Sequence, residues 1–193
     1  MVKQVRIKAT EILSKLYFTF AKVTYELVNH NDAIDEITRE VYITSNGVTV
    51  LLYNEENKTV ILTKQFRLPT FLNNNTNGML VEACAGVIDN NDDPEETVLR
   101  EIEEETGYKI EVVKKLFELF PIPGTVTEKL HFYIAAYHSS QKISSGGGLA
   151  HENEDIEVIE WDFETAYNKI FSGEIEDAKT VVLLQYAKIH LFN

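Results

Sequence analysis

The chain has 193 residues, 44% of them apolar, which suits one domain or one domain with a small extra module. Its 31 acidic and 18 basic side chains give a formal charge of −13, which repels nucleic-acid phosphates and anionic membranes and argues against both as partners. A single cysteine, Cys84, excludes an internal disulfide and fits a reducing, cytoplasmic setting. Residues 1–13 alternate charged and apolar side chains, unlike a signal peptide, and no run reaches the roughly eighteen apolar residues of a membrane span.

In chain order, residues 17–28 (YFTFAKVTYELV) alternate and are rich in aromatic and β-branched residues, which predicts a strand. Residues 29–32 read as a turn and residues 36–44 as the returning strand. Asn46-Gly47 signals another turn. A second hairpin is expected from residues 48–53 and 59–64. Residues 73–78 read as a polar loop, followed by a short apolar strand at 79–85. Residues 94–106 read as a helix, with Asp93 as N-cap, Pro94 in the first position and Gly107 as the stop. Strands are expected at 116–119, 130–138 and 156–161, with a loop at 144–153. Two helices close the chain, at 163–171 and 177–191. Many strands with few helices predict an α+β architecture. No internal repeat or low-complexity tract is present.

The informative stretch is residues 86–108, GVIDNNDDPEETVLREIEEETGY. On a helix, Glu101, Glu104 and Glu105 fall at about 0°, 300° and 40°, within about 100° of arc, while Glu103 points away near 200°. Val98, Leu99, Ile102 and Thr106 form the adjoining edge that docks on the core. Three anions on one face repel unless something positive neutralises them. Hard divalent cations take oxygen ligands, so a cation site competes with the plainer reading of a solvated acidic face.

The surrounding pattern decides between them. It resembles the Nudix box, G-x5-E-x7-R-E-U-x-E-E-x-G-U with U a bulky apolar residue, from Gly86 through Arg100-Glu101-Ile102-Glu103-Glu104-Glu105-Thr106-Gly107-Tyr108. One position departs: Asp92 replaces the first glutamate, and it is expected to pair with Arg100 as a loop brace. The resemblance implies a Nudix fold, with a mixed sheet sandwiched by helices, and Mg2+ or Mn2+ as cofactor. It implies Glu101 and Glu105 as principal metal ligands, with Glu104 and the carbonyl of Ala85 alongside. It implies a base outside the box, on an acidic loop. Glu154 is the first candidate for base or further ligand and Glu152 the second, the alternative being an ordinary acidic loop. The catalytic set is then Glu154, Glu104 and Arg100.

Further segments resemble the GDP-mannose pyrophosphatase subgroup of the ADP-ribose pyrophosphatase branch. They are YFTF, REVY, LLYN, KQFR, LFEL, the P-G-x-x-x-E element at residues 123–128, SGGG with EDIEV, and GEI-x-D-x-KT. This resemblance implies a homodimer built by N-terminal strands (residues 1–45) on a catalytic domain (residues 46–193). It implies substrate contacts from Tyr17, Arg39, Glu40, Arg67, Gly86, Val87, Glu128 and Lys179, with Arg39 reaching the neighbouring subunit's site. The implied reaction is GDP-mannose to GMP and mannose 1-phosphate. ADP-ribose pyrophosphatase activity, cleavage at the sugar carbon and a non-catalytic nucleotide-sugar sensor are the competing readings. The intact box disfavours the last two. Cys84, in an apolar strand, reads as core, and the five histidines form no ligand-spaced cluster.

Overall fold

A computed structural model describes residues 2–89, 92–149 and 154–192. The chain divides into two compact units, one of residues 1–46 with 120–129, the other of residues 47–119 with 130–193.

The first unit is an antiparallel sheet in the order β1-β2-β3, from β1 (Val2–Lys15), β2 (Thr19–Asn29) and β3 (Ile34–Ile43). The expected strand at residue 17 starts two residues later, because Leu16, Tyr17 and Phe18 make the bend from β1. β1 was not expected as a strand, because its charge-rich alternation suits two wet faces. All fourteen of its residues are exposed, Val5, Ile7 and Ile12 among them. Residues 120–129 join this unit by backbone pairing. The Tyr42 N–H donates to the Thr125 carbonyl at 2.8 Å and the Thr127 N–H to the Tyr42 carbonyl at 3.0 Å.

The second unit is a seven-stranded mixed sheet. β4 (Gly47–Asn54) and β5 (Thr59–Phe66) form the expected hairpin, and the path runs β10-β5-β4-β9-β8. Here β8 is Lys114–Leu119, β9 is Leu130–Ala136 and β10 is Glu157–Asp162. β6 (Met79–Glu82) pairs with β5, and β7 (Cys84–Val87) pairs with β4. Among the described strand pairings of this sheet, β4 with β9 is parallel and the rest are antiparallel.

Period-two alternation sends these strands into two cores. Leu51, Val60, Leu62, Phe132 and Ile134 face α3 (Phe163–Ser172) and α4 (Ala178–His190). Val48, Val50, Leu52, Ile61 and Tyr133 face α2 (Pro94–Glu101) through Val98 and Ile102. Helices therefore cover both sheet faces, as expected. A further short helix, α1 (Leu68–Leu72), has Pro69 at its second position and buries no residue, which leaves no buried face to read in the sequence. Ile102 is fully buried, and truncating it to alanine would cost about 2–5 kcal/mol.

Candidate active site

The box helix begins as expected. Asp93 Oδ1 accepts from the Glu95 N–H at 2.7 Å, and Pro94 fills the first position, where no N–H is needed. It does not remain α-helical. Residues Ile102–Thr106 form a π-turn, a widened segment of the kind common at functional sites, and Gly107 ends it at φ 76°. The Thr106 hydroxyl donates to the Ile102 carbonyl at 2.6 Å, inside that turn. The widening leaves the carboxylates together. Glu101 and Glu105 are buried, Glu104 is half-buried and Glu103 is exposed.

Arg100 forks across this face, from one Nη to Glu104 at 2.7 Å and from the other to Glu101 at 2.8 Å. This corrects the expected pairing with Asp92. Glu104, one turn ahead on the same face, offers the arginine a carboxylate within reach and Glu101 supplies a second. Glu105 Oε2 accepts from the Ala85 N–H at 3.2 Å, which ties the helix to β7. Gly86 faces Glu101 so closely that a Cβ there would fall on its carboxyl group. Glycine at this position makes room for a buried carboxylate.

Burial dominates the electrostatics. It pushes Glu105 up to about 8, helped by the charges of Glu101 and Glu154, against hydrogen bonds from Cys84 and Ala85. It pushes Glu101 up to about 7, with Arg100 opposing and Glu104 and Glu154 adding. Glu154 thus lies close enough to act on both. Its Oε2 accepts from the Leu149 N–H at 3.0 Å, which holds it across the end of the glycine loop. Burial and the neighbouring Glu105 hold the Cys84 thiol well above its ordinary range, so it remains a core thiol. Glu152 lies outside the described residues.

Among the described residues, no three His, Cys, Asp or Glu side chains already converge as a finished ligand set. The donors nonetheless fit a hard divalent cation. Two buried carboxylates are short of positive charge, a third carboxylate and a fourth from Glu154 stand nearby, and Gly86 keeps the space clear.

Arg67 and Lys179 meet at a residue that the sequence did not single out. Glu82, on β6 and 3% exposed, accepts from Arg67 Nε at 2.7 Å and from Lys179 Nζ at 2.5 Å. Its position in an apolar tract, MLVEACAG, was the available signal. Val87 is exposed at the end of β7. In the first unit, Tyr17 projects from the β1–β2 bend at 84% exposure, Arg39 and Glu40 are exposed on β3, and Glu128 is half-buried.

Comparison with known proteins agrees with this geometry. Residues 44–183 match the NUDIX domain, and residues 4–42 match the GDP-mannose pyrophosphatase NudK N-terminal domain. A GDP-mannose pyrophosphatase of Yersinia enterocolitica is 50% identical over 94% of this chain and 93% of its own. One of Salmonella typhimurium is 51% identical over 91% of each chain. One of Escherichia coli O1:K1 is 47% identical over the full length of both. A crystal structure of an ADP compounds hydrolase superposes with a TM-score of 0.72 over 97% of this chain and 96% of that one, at 18% identity, which speaks to the fold alone. Divalent metal ions are the general cofactors of such enzymes, in keeping with the oxygen-rich donor set. The box, the two-sided sheet and these matches together make the chain a member of the Nudix hydrolase family.

Proposed function

We propose that this Nudix hydrolase cleaves the diphosphate of a nucleoside diphosphate sugar, converting GDP-mannose and water to GMP and mannose 1-phosphate. The observation that carries the reading is the pair Glu101 and Glu105, buried on one helix turn beside a glycine, with Arg100 bonded to Glu101 and no arginine bonded to Glu105 among the described residues. The identity of the sugar nucleotide leans on the end-to-end similarity to GDP-mannose pyrophosphatases.

Glu101, Glu105, Glu104, the Ala85 carbonyl and Glu154 would hold Mg2+, or Mn2+ in its place. When bound, the cation neutralises diphosphate oxygens and makes a water easier to deprotonate. Glu154 takes the proton as the water oxygen bonds to phosphorus. The P–O bond of the anhydride breaks, and its electron pair leaves on the departing phosphate. Arg67 supports that charge with its planar fork, and Lys179 lies behind it. Arg100 keeps Glu101 and Glu104 in register. Gly86 and Val87 offer backbone to the substrate, and Tyr17, Arg39, Glu40 and Glu128 contact the nucleotide and sugar.

The chain acts as a homodimer, with the first unit's sheet covered by a second copy. Support comes from β1, a long exposed edge with apolar side chains that a lone protein would leave prone to aggregation. No helix among the described residues is long and apolar enough to cross a membrane, and the lone buried Cys84 accords with a reducing cytoplasm. The substrate reading is tested by kcat/KM over GDP-mannose, ADP-ribose, ADP-glucose and NADH. GDP-mannose should lead, and a lead for ADP-ribose with AMP and ribose 5-phosphate as products would replace it. Mixing Arg39→Ala with Glu105→Gln subunits tests the dimer. If Arg39 acts across the interface, activity returns on subunit exchange, because one site per heterodimer then carries neither lesion.

A further inference from the structure

Glu82 stands four residues before Gly86, where the box opens, and belongs to no part of the metal set. It is buried, yet it faces two cations. Oε2 takes Arg67 by Nε at 2.7 Å, and Oε1 takes Lys179 by Nζ at 2.5 Å. Lys179 also meets Asp177 Oδ1 at 3.0 Å. Asp177 caps α4, its Oδ2 accepting from the Thr180 N–H at 2.9 Å and from the Thr180 hydroxyl at 2.5 Å. The Thr180 oxygen in turn accepts from the Ala83 N–H at 2.6 Å, one residue beyond Glu82. The chain of bonds therefore closes on itself, from β6 to the first turn of α4 and back to the residue after Glu82. The Ala83–Thr180 bond of that loop is buried and the others are part-buried, so a shift of any member breaks a bond shielded from water.

The edge by which Glu82 holds Arg67 matters. An arginine has five N–H donors, and here the Nε edge is engaged while the two Nη groups make no bond to a described residue. That end is the fork that matches two phosphate oxygens. The side chain is 40% exposed, so the fork is reachable while its stem is fixed. Burial alone would pull Arg67 and Lys179 towards losing their protons. Glu82 outweighs it at both, helped by Glu105 and Asp177 at Arg67 and by Asp177 at Lys179, so both are raised.

We propose that Glu82 is a positioning residue for hydrolysis: through the Nε edge of Arg67, and braced by Lys179, it presents the Arg67 fork to the substrate diphosphate. The inference rests on the reading of Arg67 as a phosphate contact, and a double-mutant cycle separates the two. Steady-state kinetics on GDP-mannose would compare wild type, Glu82→Gln, Arg67→Ala and the double variant, with thermal midpoints and Mg2+ activation curves alongside. In Glu82→Gln the amide can still face Arg67, but its NH2 then opposes the Lys179 ammonium, so the pair cannot both be held. Lys179 keeps Asp177, which limits any loss through that residue.

Expected are rises in KM of about tenfold or more for each single variant, an unchanged Mg2+ midpoint, and a double variant within about threefold of Arg67→Ala. Penalties that multiply, to about a hundredfold, would show that Glu82 acts independently of Arg67 and would overturn the proposal. An unchanged KM in Arg67→Ala would instead overturn the reading of Arg67. Should Glu82→Gln not fold, Glu82→Asp keeps the charge on an arm one methylene shorter. It should raise KM in the wild-type background but not beside Arg67→Ala, and a wild-type KM would contradict the proposal.

Discussion

Two acidic clusters of the catalytic unit sit at opposite electrostatic extremes. Around Glu82 and Asp177, two carboxylates face two fixed cations, Arg67 and Lys179, and the bonds close into a ring. Around Glu101 and Glu105, one partly exposed arginine, Arg100, bonds Glu101 and Glu104 but not Glu105, and a fourth carboxylate, Glu154, adds to the repulsion. Burial is similar, but the outcome differs. The first cluster keeps its cations charged, whereas the second holds its carboxyl groups up at about 7 and about 8. On the function proposed above, the under-compensated cluster would take the cation, and the paired one would hold Arg67 towards the substrate.

The sharpest way to break this contrast is to neutralise the unpaired cluster. Glu105→Gln should lower turnover at saturating Mg2+ by about a hundredfold or more, the scale of losing a central electrostatic stabiliser, with the fold retained or firmer. Near-wild-type turnover would remove Glu105 from the cation site. Gly86→Ala should follow, at about tenfold, since its Cβ displaces the Glu101 carboxyl, and group displacements near 1 Å can reach a hundredfold. Isothermal binding of Mn2+ should weaken in parallel, and unchanged affinity would separate Gly86 from metal binding.

A smaller effect is expected in stability against pH. Glu101 and Glu105 lie above the ordinary carboxylate value of 4.5 in the fold. Between about pH 4.5 and about pH 8 the folded chain thus retains protons that the unfolded chain has released, so stability falls as pH rises through that window. In chelator, the thermal midpoint should drop across it, and Mg2+ should restore it most at the alkaline end. A flat profile, or equal restoration at both ends, would contradict the uncompensated cluster. Smallest of all, Glu103→Gln removes a carboxylate from the exposed back of the same turn. It should change turnover by less than about twofold and stability by less than about 0.5 kcal/mol.

Much of this was legible in the sequence because periodicity and box spacing are local. The Asp93 cap, the Gly107 stop, the β4–β5 hairpin and the outward turn of Glu103 all follow from neighbours within a few residues. What escaped depends on distance along the chain or on competition. Glu82 meets Lys179 across 97 positions, and no local pattern encodes that meeting. Arg100 takes Glu101 and Glu104, its neighbours on the same helical turn, rather than Asp92. The π-turn spans residues that read as ordinary helix, and the Thr106 hydroxyl bonds the Ile102 carbonyl within it. The polarity of β1 hid a strand that buries no side chain in a core.

The central claim is that the unpaired carboxylates bring a cation to bear on a diphosphate, so that water attacks phosphorus. Turnover of GDP-mannose in isotopically heavy water tests it most directly. The account predicts GMP and mannose 1-phosphate, one of them carrying the heavy oxygen on its phosphate. Free mannose carrying the label, with unlabelled GDP, would place the attack at the sugar carbon and contradict it.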